Sequence, residues 1–81
     1  MNIYFGENLK ALRLKRNLTQ EKLADFLGVS FQTVSKWERG DTYPDITMLP
    51  SIASFFDTTT DELLGTAKSK KDEKIEEYIR N

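Results

Sequence analysis

Residues 20–40 read QEKLADFLGVSFQTVSKWERG, and this stretch decides the fold. It holds two short amphipathic helical patterns separated by one tight turn at Gly28. Small and apolar residues fall where two crossing helices must touch: Ala24, Gly28, Val29, Val34 and Trp37. Gln32, Thr33, Ser35 and Lys36 are left on the outer side of the second helix. A helix pair that buries one side and keeps hydrogen-bonding side chains on the other is what a helix-turn-helix needs to enter a DNA major groove.

Local start and stop signals extend the reading in both directions. Thr19 is the expected N-cap of helix 2, with Leu18 and Leu23 as a hydrophobic staple and Leu23, Ala24 and Leu27 facing inward. Gly28 ends that helix, because only glycine takes the left-handed stop without a Cβ penalty. Ser30 caps helix 3, Val29 and Val34 repeat the staple, and Gly40 closes it. Upstream, helix 1 is expected to start near Asn2 and run to about Arg16, with Phe5, Leu9 and Leu12 as its apolar stripe. Asn17 suits the left-handed stop, and Lys15 and Arg16 suit the negative end of the helix dipole. Downstream, DTYP (41–44) is a turn and Asp45 caps helix 4, which carries Met48, Leu49, Ile52, Ala53, Phe55 and Phe56. Pro50 removes an early backbone hydrogen bond, so helix 4 either bends there or begins later. Thr59 and Glu62 form a capping box for a short helix 5 that ends at Leu64–Gly65.

The pattern is all-α, with no strand and no internal repeat. Residues 1–65 read as one domain. Residues 66–81 read as a charged tail or linker in which Ile75, Tyr78 and Ile79 predict a short amphipathic helix. Such a tail suits either the end of a short protein or a linker to a further domain.

Composition narrows the chemistry. The 81 residues, 38% of them hydrophobic, suffice for one small core. With no Cys there is neither a disulfide framework nor a thiolate metal site. With no His, the commonest metal ligand and general base are missing, and the acids form no catalytic pair. No enzyme, metal or cofactor is expected. The apolar runs are too short to span a membrane and MNIYFGENLK lacks a secretory pattern, so a soluble cytoplasmic protein is expected.

A net charge of −1 and a pI near 5.4 count against nucleic-acid binding, whose usual footprint is basic. The charge is unevenly placed, however. Residues 1–40 hold seven bases against four acids, and residues 41–65 hold five acids and no base. The tail is again slightly basic. Phosphates respond to the field within a Debye length, roughly 8–10 Å, so the basic charge lies where the helix-turn-helix needs it.

On LTQEKLA (18–24), LGVS (27–30), TVSKWERG (33–40), Pro44–Asp45 and TTDELLG (59–65), the chain resembles the phage repressor and Cro-type helix-turn-helix family, often called the Xre family. The likeness covers about residues 3–65. It implies a compact five-helix, lambda-repressor-like domain whose helices 2 and 3 are the helix-turn-helix. It also implies a transcriptional regulator that binds double-stranded DNA, usually as a homodimer on a palindromic operator. Pro50 and the aromatic Phe31 depart from the usual family pattern.

The candidate DNA-binding residues are Gln20, Ser30, Phe31, Gln32, Thr33, Ser35, Lys36 and Arg39, on a recognition helix at about Ser30–Arg39. Gln20 opens helix 2, where backbone N–H groups favour an anion; the resemblance implies that it contacts a phosphate and braces the recognition helix. Gln32 sits near the tip of helix 3, and its amide matches the N6 and N7 atoms of adenine. Lys36 lies one turn on, within reach of a guanine or a phosphate. Phe31 either packs on a thymine methyl or folds back onto the protein. Ser30, Thr33 and Ser35 offer short hydroxyls, and Arg39 and Lys10 offer phosphate contacts. A solvated surface is the plain alternative for Gln20, Gln32, Lys36, Arg39 and Lys10, and the cap role alone accounts for Ser30. The resemblance further implies a structural salt bridge between Arg13 and Glu38. Trp37, Phe5, Phe26, Phe55 and Phe56 read as core rather than as a ligand box. A different class of function, a protein-interaction module of antitoxin or antirepressor type on the same fold, is motivated by the acidic 41–65 segment and the Ile75/Tyr78/Ile79 stripe.

Overall fold

The computed structural model describes residues 4–65, and the expected tail helix lies outside them. The chain forms α1 (Phe5–Lys15), α2 (Gln20–Leu27) and α3 (Phe31–Arg39). A short 3-10 turn (Ile46–Met48) runs directly into α4 (Leu49–Phe55), and α5 (Thr60–Leu64) comes last. No strand is present among the described residues. α3 packs between α2 and α1, while α5 joins α1 to α4.

The start and stop devices operate as the residue types dictate. Thr19 Oγ1 accepts from the Lys22 amide, Ser30 Oγ from the Thr33 amide and Thr59 Oγ1 from the Glu62 amide, each at 3.0–3.1 Å. The Glu62 carboxylate returns to the Thr59 amide, completing the capping box. Gly28 stops α2 at φ 73°, which turns the chain toward α3. Asn17 and Asp57 take the left-handed conformation without being glycine, at φ 58° and 55°. Asn17 is foreseeable from its place after helix 1; Asp57 performs the same service after α4.

Three boundaries differ from expectation. α1 begins at Phe5, with Tyr4 rather than Asn2 at the N-cap position and no side-chain cap. Asp45 does act as a cap, accepting from the Thr47 amide at 3.0 Å, but the element it caps is the 3-10 turn. α4 proper starts at Leu49, so Pro50 stands in its first turn, where its missing N–H costs nothing. The helix therefore begins later instead of bending.

One core unites the elements: Phe5, Leu9, Leu23, Ala24, Val34, Trp37, Ile52, Ala53, Phe56 and Leu63. Phe5 meets Trp37 edge-on at 6.1 Å between ring centroids. α1 and α3 approach so closely that a Cβ on Gly6 would lie 2.5 Å from the Trp37 carbonyl oxygen. Leu12, Leu18, Leu27 and Val29 are half-buried against this core. Phe26 corrects the sequence reading. It is 62% exposed, resting on Phe55 at 5.2 Å instead of entering the core. Arg16, at the C-cap of α1, also reaches beyond its own helix. Its guanidinium donates to the Phe55 carbonyl at 2.9 Å and lies 5.5–5.7 Å from the Phe55 and Phe56 ring centroids, so it ties α1 to the end of α4.

Candidate nucleic-acid interface

The interface is built from α3 and the start of α2. Val34 and Trp37 are buried and fix the inner side of α3. Phe31, Gln32, Lys36 and Arg39 are exposed, and Thr33 and Ser35 are half-buried. Gln32 and Lys36 stand one turn apart on the solvent side. Among the described residues neither side chain makes a hydrogen bond or ion pair, and that leaves an amide and an ammonium available to an external partner.

Behind this surface lies a hydrogen-bonded clamp. Arg13 Nε and Nη2 donate to the two Glu38 carboxylate oxygens at 2.7 and 3.0 Å. The pair is nearly dry, with side chains 10% and 3% exposed. Arg13 Nη1 also donates to the Leu18 carbonyl at 2.8 Å, so one guanidinium joins α1, the loop before α2, and α3. Gln20 Nε2 donates to the same Glu38 carboxylate at 2.9 Å. The amide at the start of α2 is thereby oriented from below by α3. The Gln20 contact with Glu38 is not deducible from local pattern, because the two residues lie 18 positions apart.

The remaining candidates are internally engaged. The Ser30 and Thr33 hydroxyls share a 2.8 Å hydrogen bond. Arg39 pairs with Asp41 at 3.0 Å and also donates to the Ser35 hydroxyl. A phosphate at Arg39 must therefore displace an exposed ion pair, which is a weak competitor. Phe31 is 43% exposed at the tip of α3, so its ring is only partly covered. Lys10 is exposed on α1. No buried side-chain polar atom lacks a partner among the described residues. No group of three or more acids there can hold a metal, and no helix there is long and apolar enough to cross a membrane.

A five-helix domain with α2 and α3 crossing at a tight turn, and a polar α3 face braced from inside, defines a lambda-repressor-like helix-turn-helix protein. The helix-turn-helix family profile matches residues 9–63, and the chain belongs to that family, in its Xre-type branch. It is 52% identical over 61 residues to the HTH-type transcriptional activator BcrR of Enterococcus faecalis, covering 75% of this chain and 30% of that protein. A transcriptional regulator from Listeria innocua superposes with a TM-score of 0.78 at 30% identity, over 98% of this chain and 75% of that one. The P22 c2 repressor in complex with synthetic operator 9T superposes with a TM-score of 0.70 at 33% identity, over 74% of this chain and 91% of that one. The chain thus spans less than a third of BcrR but nearly all of the P22 c2 domain it matches.

Proposed function

We propose that the chain binds double-stranded DNA sequence-specifically as part of a transcriptional regulator, with α3 in the major groove. The observation that carries this reading is the pair Gln32 and Lys36, exposed one turn apart and unengaged on a helix whose other side is locked into the core. In this pose Gln32 reads adenine through two hydrogen bonds, and Lys36 meets a guanine edge or a phosphate. Gln20, at the positive end of α2, holds a backbone phosphate through the second N–H of its side-chain amide and the adjacent backbone N–H groups. Phe31 supplies apolar contact beside Gln32. Arg39, once exchanged from Asp41, adds a phosphate contact, as do the Ser30, Thr33 and Ser35 hydroxyls. The P22 c2 repressor, similar over the same residues, is itself seen on an operator, which supports the pose.

The active form is a homodimer on a palindromic operator. One α3 per half-site places two recognition helices in successive major grooves, about 34 Å apart. Selection from random duplex followed by titration at rising salt tests the reading. A DNA binder loses affinity steeply with salt and yields a two-fold symmetric consensus. A flat salt response with no enriched sequence would sink it. The Gln32→Ala variant should relax base preference, whereas Gln20→Ala should weaken all duplexes alike.

A further inference from the structure

Asp41 sits at the wrong end of a helix for a carboxylate. Gly40 stops α3 at φ 81°, and the next amide, that of Asp41, donates back to the Lys36 carbonyl at 2.9 Å. This six-to-one closure folds Asp41 back against the last turn of α3. Carboxylates stabilise helix starts, as Asp45 and Glu62 do with their own side chains. At the carbonyl end of α3 the dipole opposes a negative charge, so helix stability does not account for Asp41. Its carboxylate instead accepts from Arg39 Nε at 3.0 Å. Arg39 Nη1 donates to the Ser35 hydroxyl one turn back, which lays the guanidinium along α3. Gln32, Lys36 and Arg39 follow i, i+4, i+7 and share one exposed side of that helix.

Resting on the reading that this face binds DNA, we propose that Asp41 is an internal stand-in for a phosphate and sets operator affinity by competing for Arg39. The chemistry is matched. A carboxylate and a phosphate take a guanidinium through the same charge-assisted N–H to oxygen bonds, so the two anions exclude one another at Nε. The pair is also able to exchange, because the Arg39 and Asp41 side chains are 58% and 55% exposed. The nearly dry Arg13–Glu38 pair has no such freedom. A DNA strand must open the Arg39–Asp41 pair before it gains the guanidinium, and an exposed pair of this kind lowers affinity by up to about fivefold. Asp41 is thus a positioning residue that restrains binding, and its removal should tighten the complex.

Titration of the full 81-residue chain on its selected operator duplex tests this. Asp41→Asn, an isosteric change at an exposed position that keeps the backbone closure, should tighten binding by about two- to fivefold. The gain should vanish in an Arg39→Gln background, since the carboxylate acts through that one guanidinium. It should also shrink as salt rises, because salt loosens the pair that competes with the phosphate. Asp57→Asn removes an equal charge from the pair with Arg16 after α4, and should change affinity far less. Unchanged or weaker affinity in Asp41→Asn would overturn the proposal. So would an equal gain in Asp57→Asn or in the absence of Arg39, either of which would reduce Asp41 to one negative charge among many. Should Gln32→Ala relax base preference while Asp41→Asn does nothing, this inference alone falls. Should no duplex be selected at all, the DNA-binding reading falls and takes this one with it.

Discussion

The two ends of this small domain use polar side chains in opposite ways. In the α2–α3 half, the carboxylate of Glu38 is buried in a clamp, and Gln32 and Lys36 point outward with no partner among the described residues. In the half from Asp41 to Gly65, carboxylates turn back on their own backbone: Asp45 and Glu62 cap the 3-10 turn and α5. The surface left open there is apolar, at Tyr43 and Ile46. What separates the halves is thus the engagement of their polar side chains, since Phe26 and Phe31 are exposed in the first half as Tyr43 and Ile46 are in the second. The difference shows that net charge is a poor guide to the partner of a small domain, since acids that lower the pI, such as Asp45 and Glu62, serve helix starts.

The largest effect in breaking this contrast should come from Glu38→Ala. It strands Arg13 without its partner in a nearly dry site and removes the brace on Gln20, so a loss of about 3–5 kcal/mol is expected. Urea unfolding monitored by the fluorescence of Trp37, the single tryptophan, measures it. A loss under about 1 kcal/mol would mean that the clamp is solvated. Next, Gln32→Ala should remove about 1–3 kcal/mol of discrimination between the selected operator and a variant at one base pair. Lys36→Ala, if the ammonium meets a phosphate, should instead lower the slope of log affinity against log salt by about 1. Titrations on matched duplexes separate the two roles.

A smaller change is expected from Ser30→Ala, which deletes the α3 cap and should cost roughly 1 kcal/mol in the same urea assay. The smallest effect concerns pH. Hydrogen bonds from the Thr58 hydroxyl, then the Thr59 amide and hydroxyl, hold the Glu62 carboxyl below its ordinary value of 4.5. Bonds from the Thr47 amide and hydroxyl do the same to Asp45, below 3.8. A carboxyl depressed in the folded state stabilises it above the unfolded value and loses that contribution as pH falls through the folded value. The contribution of these two caps should therefore be present near neutral pH and fade in acid, below the ordinary carboxylate values. Amide exchange at α5 as pH falls measures it, and Thr59→Ala should move the Glu62 titration upward.

What sequence could reveal depends on the range of the forces involved. Caps at Thr19, Ser30 and Thr59 and stops at Asn17 and Gly28 rest on contacts within a few residues, so their residue types announce them. The buried row Phe5, Leu9, Leu23, Val34 and Trp37 can be read from helical spacing. Phe26 also fits a helical pattern, yet it lies outside, because only the packed arrangement of α2 against α3 determines which side of the helix is covered. Arg16 reaching the end of α4, Gln20 reaching Glu38, and Arg39 held by Asp41 and Ser35 are likewise products of assembly. Pro50 carried its information locally, but a 3-10 entry and a late helix start obey the same local rules as a bend. The apolar groove lined by Tyr43, Pro44, Ile46, Leu49 and Leu64 has no signature in the pattern, since it brings residues 43–49 beside the distant Leu64.

The absence of a side chain at Gly6 sets the spacing between α1 and α3. Adding a single methyl there would press into the Trp37 and Glu38 carbonyl oxygens at the end of α3, where backbone rather than a flexible side chain would have to give way. The seam between the two helices therefore admits no larger residue at position 6, and its closeness is set by an atom that is missing.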